Sequence, residues 1–264
     1  MQSVSQPFLS VVIPAFNEER RILPTLQKLA AYLAGIRYTA EILVVDDGSS
    51  DRTCAVVREF ARQTPMSVRI SEQPHGGKGH AVRAGMLEAR GSYRFLCDAD
   101  LAMPVEELAK FLPPTLADVD VAVGSREAPG ARRYQEPPHR HFMGRVFNLW
   151  VRILTVNGIR DTQCGFKCFT APAAEALFSQ QRLNGFGFDV EVLFLAQKGG
   201  LRMVEVPINW YHQQESKVKP LEDTFKMLFD AVRVRWGYQT GRYHLEPVRE
   251  AGGKTGKNPP AEKG

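Results

Sequence analysis

Two aspartates separated by one residue, Asp98 and Asp100, end a short apolar run, YRFLC, whose composition is typical of a buried strand. Paired carboxylates at this spacing are hard oxygen ligands that suit Mg²⁺ or Mn²⁺, and these ions keep positions open for phosphate oxygens. A metal held there could neutralise the charge that develops on a departing diphosphate. Aspartate pairs are also common at turns, so it is the position after a buried strand that favours a site.

A second acidic pair, Asp46 and Asp47, follows the apolar run EILVV. Carboxylates after a strand can accept hydrogen bonds from a ribose or from the edge of a base. The alternative is a helix N-terminus, where Ser50 or Asp51 is suited to act as a cap. A single helix N-terminus needs only one capping residue, which Ser50 or Asp51 already supplies. We therefore expect Asp46 and Asp47 to belong to a binding site.

The segment Gly76–Gly79 is a glycine-rich turn that contains Lys78. Glycines would let the backbone approach a phosphate, and a lysine at a helix N-terminus would add positive charge. The chain has no GxxxxGK[ST] motif, so this turn is not a P-loop. A solvated, flexible turn accounts for the glycines equally well.

Basic residues in the second half of the chain are suited to bind phosphate groups, although each could also belong to a solvated loop. Asp161, in the segment RDTQCGFK, either belongs to a simple turn or places a carboxylate over the strand ends. The basic set comprises Arg126, Arg132, Arg133, Arg140, Lys217 and Lys219.

The elements that must position these residues alternate between strands and helices over the first 125 residues. This alternation predicts an α/β fold with a mostly parallel sheet and helices on both faces, in which ligands bind beyond the carboxyl ends of the strands. Both acidic pairs lie at such ends. The predicted strands are Leu9–Ile13, Glu41–Val45, Ser67–Ile70, Tyr93–Cys97 and Asp120–Val123, with later strands near 164–169 and 202–207, and Pro104 is suited to start a helix.

Two later helices are candidates for contact with a membrane surface. The predicted helix 141–156 is apolar on nearly all sides, and the predicted amphipathic helix 220–237 carries basic residues beside an apolar face. Both could lie in the headgroup layer of an anionic membrane, or both could pack on the sheet. The apolar face of helix 220–237 comprises Leu221, Phe225, Leu228, Phe229, Val232 and Trp236.

Composition excludes several classes of protein. The chain has 264 residues, 44% hydrophobic and 24% charged, as expected of a globular domain. We expect neither a signal peptide nor a transmembrane helix, because no basic segment precedes an apolar stretch at the N-terminus and no run reaches about 18 apolar residues. A net charge of +5 suits phosphorylated or anionic partners, but no nucleic-acid-binding motif is present. We expect reduced cysteines, a cytoplasmic protein that contacts membranes only peripherally, and a disordered basic tail at 245–264.

The segments VVIPAFNEE, VVDDGSSD, GGKGHAVRAG and LCDADLAMP, in this order, resemble the family 2 inverting glycosyltransferases of GT-A fold over residues 9–236. The later segments IRDTQCGFKCF, FGFDVEVLFLAQ, VPINW and ESKV resemble the polyprenyl (dolichyl)-phosphate sugar transferases, nearest to the dolichyl-phosphate β-glucosyltransferases. The resemblance implies one GT-A domain over 1–244, with a nucleotide-binding half at about 8–126 and an acceptor-binding half at about 127–244.

The resemblance also implies roles for individual residues. Asp100 would be the main metal ligand with Asp98 in support, and Asp161 would lie near the reaction centre as an orienting carboxylate or weak base. Relatives of the mannosyl type often carry Gln where this chain has Ala102, so water or another ligand would complete the metal shell. The nucleotide pocket would be lined by Pro14, Ala15, Phe16, Glu18, Asp46, Asp47, Lys78 and Asp98, and phosphates would face Arg126, Arg140 and Lys217.

The implied reaction moves glucose from UDP-glucose to a polyprenyl phosphate, with inversion, using Mg²⁺ or Mn²⁺ at the cytoplasmic face of a membrane. Three alternatives stay open: another donor such as GDP-mannose, a glycan hydroxyl as acceptor, or a nucleotide-sugar-binding module without catalysis. A glycan hydroxyl would need a firm general base, whereas the oxygen of a phosphate monoester is already ionised near neutral pH.

Overall fold

The computed structural model describes residues 6–135, 155–212 and 220–245, with only the backbone described over 220–225. Arg140, Lys217, most of the predicted helix 141–156 and nearly all of the predicted tail therefore lie outside the described residues. The strands are β1 (Leu9–Ala15), β2 (Ala40–Asp46), β3 (Ser67–Glu72), β4 (Tyr93–Leu96), β5 (Val121–Ser125), β6 (Arg132–Tyr134), β7 (Lys167–Thr170), β8 (Met203–Pro207) and β9 (Asn209–Tyr211). The helices are α1 (Ile22–Gly35), α2 (Thr53–Gln63), α3 (Lys78–Glu88), α4 (Ala171–Gln180), α5 (Phe188–Lys198) and α6 (Pro220–Gln239), with a 3₁₀-helix at Val105–Phe111.

Seven strands form one mostly parallel sheet in the order β3-β2-β1-β4-β7-β5-β8, which confirms the predicted α/β class. Only β7 runs antiparallel to its neighbours, and it pairs with β4 on one side and with β5 on the other. Since β4 and β5 are each antiparallel to β7, they run in the same direction. The carboxyl ends of β1, β2, β4 and β5 consequently lie along one edge of the sheet.

The alternating side chains of the central strands are buried on both faces of the sheet. Val12 and Leu43 pack with α3, α4 and α5 in one hydrophobic layer. Val11 and Ile42 point the other way and pack with α1 and the 3₁₀-helix. This two-layer core confirms the prediction of helices on both faces, and it fixes the strand ends from which the acidic residues project.

A small parallel ribbon of β6 and β9 lies beside the main sheet and was not predicted from the sequence. The rings of Tyr134 and Tyr211 stack in it with centroids 4.5 Å apart. The backbone N–H of Tyr211 donates to the carbonyl of Ala102 at 2.8 Å. The ribbon is thereby attached to the turn that carries the first acidic pair.

Helix α6 packs on the rest of the domain through a face different from the apolar one read from the sequence. Its buried residues in the described part are Met227, Ala231 and Val234, spaced along one side of the helix. Phe229, Val232 and Trp236, on the opposite side, have 71%, 52% and 55% of their surface exposed. Three of the six residues of the predicted apolar face therefore point to solvent, whereas Leu228 is partly buried against the core.

Local predictions at two helix starts were partly wrong. Of the two residues suited to cap α2, Asp51 accepts the backbone N–H of Thr53 at 2.9 Å, whereas the Ser50 hydroxyl contacts Asn17 Oδ1 at 3.4 Å. Pro104 precedes a 3₁₀-helix and not an α-helix. All four cysteines are free, as expected. None of the helices in the described part of the chain is long and apolar enough to cross a membrane.

Candidate active site

The turn after β4 carries Asp98 and Asp100 at the carboxyl edge of the sheet. Asp98 Oδ1 lies 2.7 Å from Lys78 Nζ, at the start of α3. Its other oxygen lies against Gly165, where an added Cβ would come within 1.8 Å of Oδ2. Gly165, in the segment CGFKCF, is therefore a glycine because the Asp98 carboxylate occupies the space of a side chain.

Asp100 follows after one residue and is held differently. Its Oδ1 accepts the backbone N–H of Ala102 at 3.1 Å, and the intervening Leu101 adopts a left-handed conformation with φ of 43°. Burial, followed by the charge of Asp98, raises the pKa of Asp100. For Asp98, burial acts in the same direction, but pairing with Lys78 outweighs it and the pKa is lowered.

Asp98 and Asp100 are both negatively charged and offer only oxygen donors, which suits a hard divalent cation. Such an ion would relieve the repulsion by Asp98 that contributes to the raised pKa of Asp100. Within residues 6–135, 155–212 and 220–245, no cluster of three His, Cys, Asp or Glu residues forms a complete protein cage. The remaining coordination positions would thus be available to water and diphosphate oxygens, as expected of Mg²⁺ or Mn²⁺ at a nucleotide site.

Behind the acidic pair lies a buried pair of opposite charges that the sequence analysis missed. Lys167 Nζ lies 2.5 Å from Asp189 Oδ1 and donates to the Cys164 carbonyl at 2.5 Å. Both side chains are buried, and the charge of Asp189 acts on Lys78 as well. The available signal was the presence of charged residues, Lys167 and Asp189, within the two apolar motifs GFKCF and FGFDVEV.

The two aspartates after β2 have different surroundings. Asp46 accepts the N–H of Ser49 at 2.9 Å, but its buried Oδ1 has no hydrogen-bond partner among the described residues. An unpaired buried oxygen is costly, so Asp46 is suited to receive a donor from a ligand. Both carboxylate oxygens of Asp47 are hydrogen-bonded within the protein. They accept the backbone N–H groups of Gly76 and Gly77, each at 2.9 Å.

Two glycines of the glycine-rich turn serve the packing of the backbone, and the contact of this turn with phosphate stays a prediction. An added Cβ on Gly77 would lie 2.7 Å from the Asn184 carbonyl oxygen, and one on Gly79 would lie 2.6 Å from the carbonyl oxygen of Leu183. Gly77 also has a φ of 104°. The glycines therefore let α3 begin against the segment before α5, and Lys78 is the residue of the turn that reaches the acidic pair.

The residues after β1 form the neighbouring part of the edge. Ala15 accepts the N–H of Asp47 at 2.8 Å, and the ring of Phe16 stacks on His75 with centroids 4.4 Å apart. Glu18 is buried and bound by the guanidinium of Arg21 at 2.7 Å and 2.8 Å. Of the predicted nucleotide residues, Pro14, Ala15 and Phe16 thus lie beside Asp46, whereas the Glu18 carboxylate is held by an arginine.

Asp161 and Arg126 form a bidentate ion pair at the end of β5. Asp161 is fully buried and accepts from Arg126 Nε at 2.7 Å, from Nη2 at 2.9 Å and from the backbone N–H at 3.0 Å. Burial alone would raise the pKa of Asp161, but Arg126 lowers it to about 2. The guanidinium also lies 5.4 Å from the centroid of Trp210, and its charge reaches Asp98.

The structure thus brings most of the predicted residues to one edge of the sheet. Asp46, Lys78, Asp98, Asp100 and Arg126 share the edge, and both oxygens of Asp47 and of Asp161 accept hydrogen bonds from protein groups. Arg133 donates to the carbonyl of Arg126 and pairs with Glu127, and Arg132 is exposed on β6. Trp210 and His75, like Lys167 and Asp189, were not predicted.

Comparison with known proteins agrees with this geometry. Residues 10–179 match the model of glycosyl transferase family 2. A dolichyl-phosphate beta-glucosyltransferase of Trichomonas vaginalis is 38% identical, with 92% of this chain and 75% of that protein covered. The human protein of the same name is 35% identical, with coverage of 92% and 79%.

Solved structures of low identity share the fold. Mannosyl-3-phosphoglycerate synthase from Rubrobacter xylanophilus superposes with a TM-score of 0.64 at 20% identity, covering 94% of this chain and 79% of that one. Glucosyl-3-phosphoglycerate synthase from Mycobacterium tuberculosis, in complex with Mn²⁺ and UDP-glucose, gives 0.60 at 17% identity, covering 91% and 80%. With its motifs, its sheet and its relatives in agreement, the chain belongs to glycosyl transferase family 2 and is a glycosyltransferase related to the dolichyl-phosphate beta-glucosyltransferases.

Proposed function

We propose that this enzyme transfers glucose from UDP-glucose to the phosphate of a dolichyl or related polyprenyl phosphate, with inversion at the anomeric carbon. The observation that carries the proposal is the acidic pair after β4 in a chain that aligns over 92% of its length with dolichyl-phosphate beta-glucosyltransferases. The structural neighbour with Mn²⁺ and UDP-glucose supports a nucleotide-sugar donor and a divalent ion.

In this proposal the donor lies along the carboxyl edge of the sheet. Asp46 accepts a hydrogen bond from the base through its unpartnered Oδ1, beside the Phe16–His75 stack. Asp98 and Asp100 would hold Mg²⁺ or Mn²⁺, which supplies charge neutralisation to the leaving diphosphate. Lys78, bound to Asp98, and Arg126, whose charge acts on Asp98, add positive charge to this part of the site.

The transfer itself needs positioning more than proton abstraction. An ionised oxygen of the acceptor phosphate attacks the anomeric carbon, the bond from that carbon to the diphosphate oxygen breaks, and the diphosphate keeps the electron pair. Asp161 is bound through three hydrogen bonds by Arg126 and has a pKa lowered to about 2, which makes it a poor base. We assign Asp161 the orienting role, in which it holds the Arg126 guanidinium toward the phosphates.

A glycan hydroxyl acceptor is the alternative, and it would require a general base. The engagement of Asp161 by Arg126 argues against it, since Asp161 is the carboxylate that the family resemblance places near the reaction centre. We further propose that the enzyme works at the cytoplasmic face of a membrane, which it contacts peripherally through the exposed stripe of α6.

The direct test is a donor and acceptor screen on the purified protein. UDP-glucose and GDP-mannose are each offered with Mn²⁺ and dolichyl phosphate, undecaprenyl phosphate or a soluble glycan, and the products are identified by mass spectrometry. We expect a hexosyl polyprenyl phosphate product with UDP-glucose as donor and none with GDP-mannose. The variant Asp100→Ala should be folded but should give no product. A glycosylated glycan with no lipid product, or near-normal turnover by Asp100→Ala, would contradict the proposal.

A further inference from the structure

Four charged side chains extend from the acidic pair into the domain with alternating sign. Asp98 pairs with Lys78 at 2.7 Å, and Asp189 pairs with Lys167 at 2.5 Å. The two pairs interact, since both Asp98 and Asp189 raise the pKa of Lys78, against the effect of burial. The Lys78 ammonium is therefore bound to one carboxylate of the metal pair, and the charge of Asp189 acts on it as well.

In the donor-free protein, the Lys78 ammonium offsets the repulsion between Asp98 and Asp100. Without a counter-charge, these two adjacent, half-buried carboxylates would repel each other, which makes it costly to keep both ionised. Lys78 supplies the counter-charge to Asp98, and Asp100 retains the less favourable environment. A divalent ion that binds both carboxylates must compete with the ammonium for the same oxygen of Asp98 or accept its repulsion at close range.

Asp189 offers the ammonium an alternative partner. Its carboxylate is fixed by Lys167, which is itself held by the carbonyl of Cys164, and this pair is buried. This buried carboxylate, whose charge already acts on Lys78, can stabilise the ammonium once Asp98 is occupied. The Lys167–Asp189 pair would then act as a positioning pair and not as a pair that touches substrate.

We propose that Lys78 is a built-in counter-cation of Asp98 which the divalent metal displaces, and that Asp189, held by Lys167, receives the displaced ammonium. The inference deepens the proposed function and rests on its assignment of the metal to Asp98 and Asp100. It makes metal binding and the transfer of the Lys78 ammonium from Asp98 to Asp189 a single event, so that the counter-cation leaves the metal ligand as the ion binds.

The test measures Mn²⁺ binding to the donor-free protein by the electron paramagnetic resonance signal of the free ion. In Lys78→Met the competitor is absent, so we expect Mn²⁺ to bind about tenfold more tightly, equivalent to about 1.4 kcal/mol. Lys78→Gln should change the affinity in the same direction, and it serves as the second variant if the first fails to fold. Lys78→Arg, which keeps the charge, should bind like the wild type.

The matched control is Lys198→Met, which removes a lysine that lies over the rings of Phe194 and Tyr238 and contacts neither acidic residue. It should leave Mn²⁺ affinity unchanged, and circular dichroism checks that each variant is folded. A double-mutant cycle tests the role of Asp189: Asp189→Asn should weaken Mn²⁺ binding more in the wild type than in the Lys78→Met background.

The outcomes separate this inference from the proposed function. If the wild type binds Mn²⁺ and folded Lys78→Met and Lys78→Gln bind it equally or more weakly, the displacement is refuted while the metal site stands. If no variant binds Mn²⁺, with or without UDP, the metal role in the proposed function fails as well. Equal effects of Asp189→Asn in the two backgrounds would refute the role of Asp189.

Discussion

At the scale of single residues, the charged side chains at this edge are bound before any ligand arrives. Asp98 is held by Lys78, Asp161 by Arg126 and Glu18 by Arg21, whereas Asp46 retains a buried oxygen without a partner among the described residues. Charges fixed by such contacts need little reorganisation when a diphosphate binds, which is the condition for strong electrostatic stabilisation of a leaving group.

The substitution Asp161→Asn distinguishes an orienting carboxylate from a general base. If Asp161 only orients Arg126, we expect a loss of about tenfold in kcat, because general bases typically contribute about 10²–10⁴-fold. Steady-state rates with a polyprenyl phosphate acceptor measure the difference. Asp120→Asn, which alters an exposed pair with Arg202, is the control. A loss of more than about 10³-fold would mean that Asp161 does remove a proton.

The same residue predicts how stability depends on pH. The pKa of Asp161 is lowered from 3.8 to about 2 in the folded protein, so its contribution is complete above about pH 4 and is lost as the pH falls toward 2. The shift corresponds to about 2 kcal/mol. Urea titrations at pH 5, 4 and 3 should therefore show a shallower decline of the unfolding free energy for Asp161→Asn than for the wild type. Parallel declines would contradict the assignment.

At the scale of elements, α6 has one apolar side on the core and another in solvent. The exposed residues Phe229, Val232 and Trp236 are accompanied by the exposed Arg233, and Arg242 lies 4.9 Å from the ring centroid of Trp236. Apolar side chains flanked by arginines suit the headgroup layer of an anionic membrane. This supports the membrane contact of the proposed function.

We expect Val232→Glu to reduce flotation of the protein with anionic vesicles at least threefold, because it places a charge at the centre of the exposed stripe. The matched control is Leu23→Glu in α1, since Leu23 is a similarly exposed apolar residue on another helix. Flotation should also decline with added salt. Equal flotation of the two variants, or no flotation of the wild type, would remove α6 as the contact.

At the scale of the whole molecule, the sheet joins the two predicted halves of the domain. β7, from the second half, lies between β4 and β5 of the first, so residues 8–126 on their own would lack the strand that connects β5 to the sheet. Close backbone packing of Gly77 and Gly79 against Leu183 and Asn184 joins the halves again at the site.

The full chain should consequently unfold in one cooperative transition, with tryptophan fluorescence and circular dichroism coincident in urea. A chain ended after residue 126 should fail to give dispersed amide resonances in an NMR spectrum, since β4 and β5 would each lose their shared partner. Two separate transitions in the full chain, or a folded fragment, would show that the halves are independent.

Much of this architecture could be predicted from the sequence because it depends on local patterns. Short apolar runs specified β1, β2 and β4, the aspartates that end β2 and follow β4 indicated the location of the site, and the motifs identified the family. β7 could not be predicted as antiparallel, because its pairing depends on how the chain returns between β4 and β5. The exposure of Trp236 likewise depends on which side of α6 meets α5.

The sequence alone determined the fold class, the family and the carboxylates at the strand ends, since periodicity and spacing act over a few residues. Only the tertiary structure decided the partners of those carboxylates. It paired Asp98 with Lys78, Asp161 with Arg126 and Asp189 with Lys167. Each pair joins residues far apart in the chain, and the strength of a charge interaction depends on distance and burial, which become defined only when the sheet has formed.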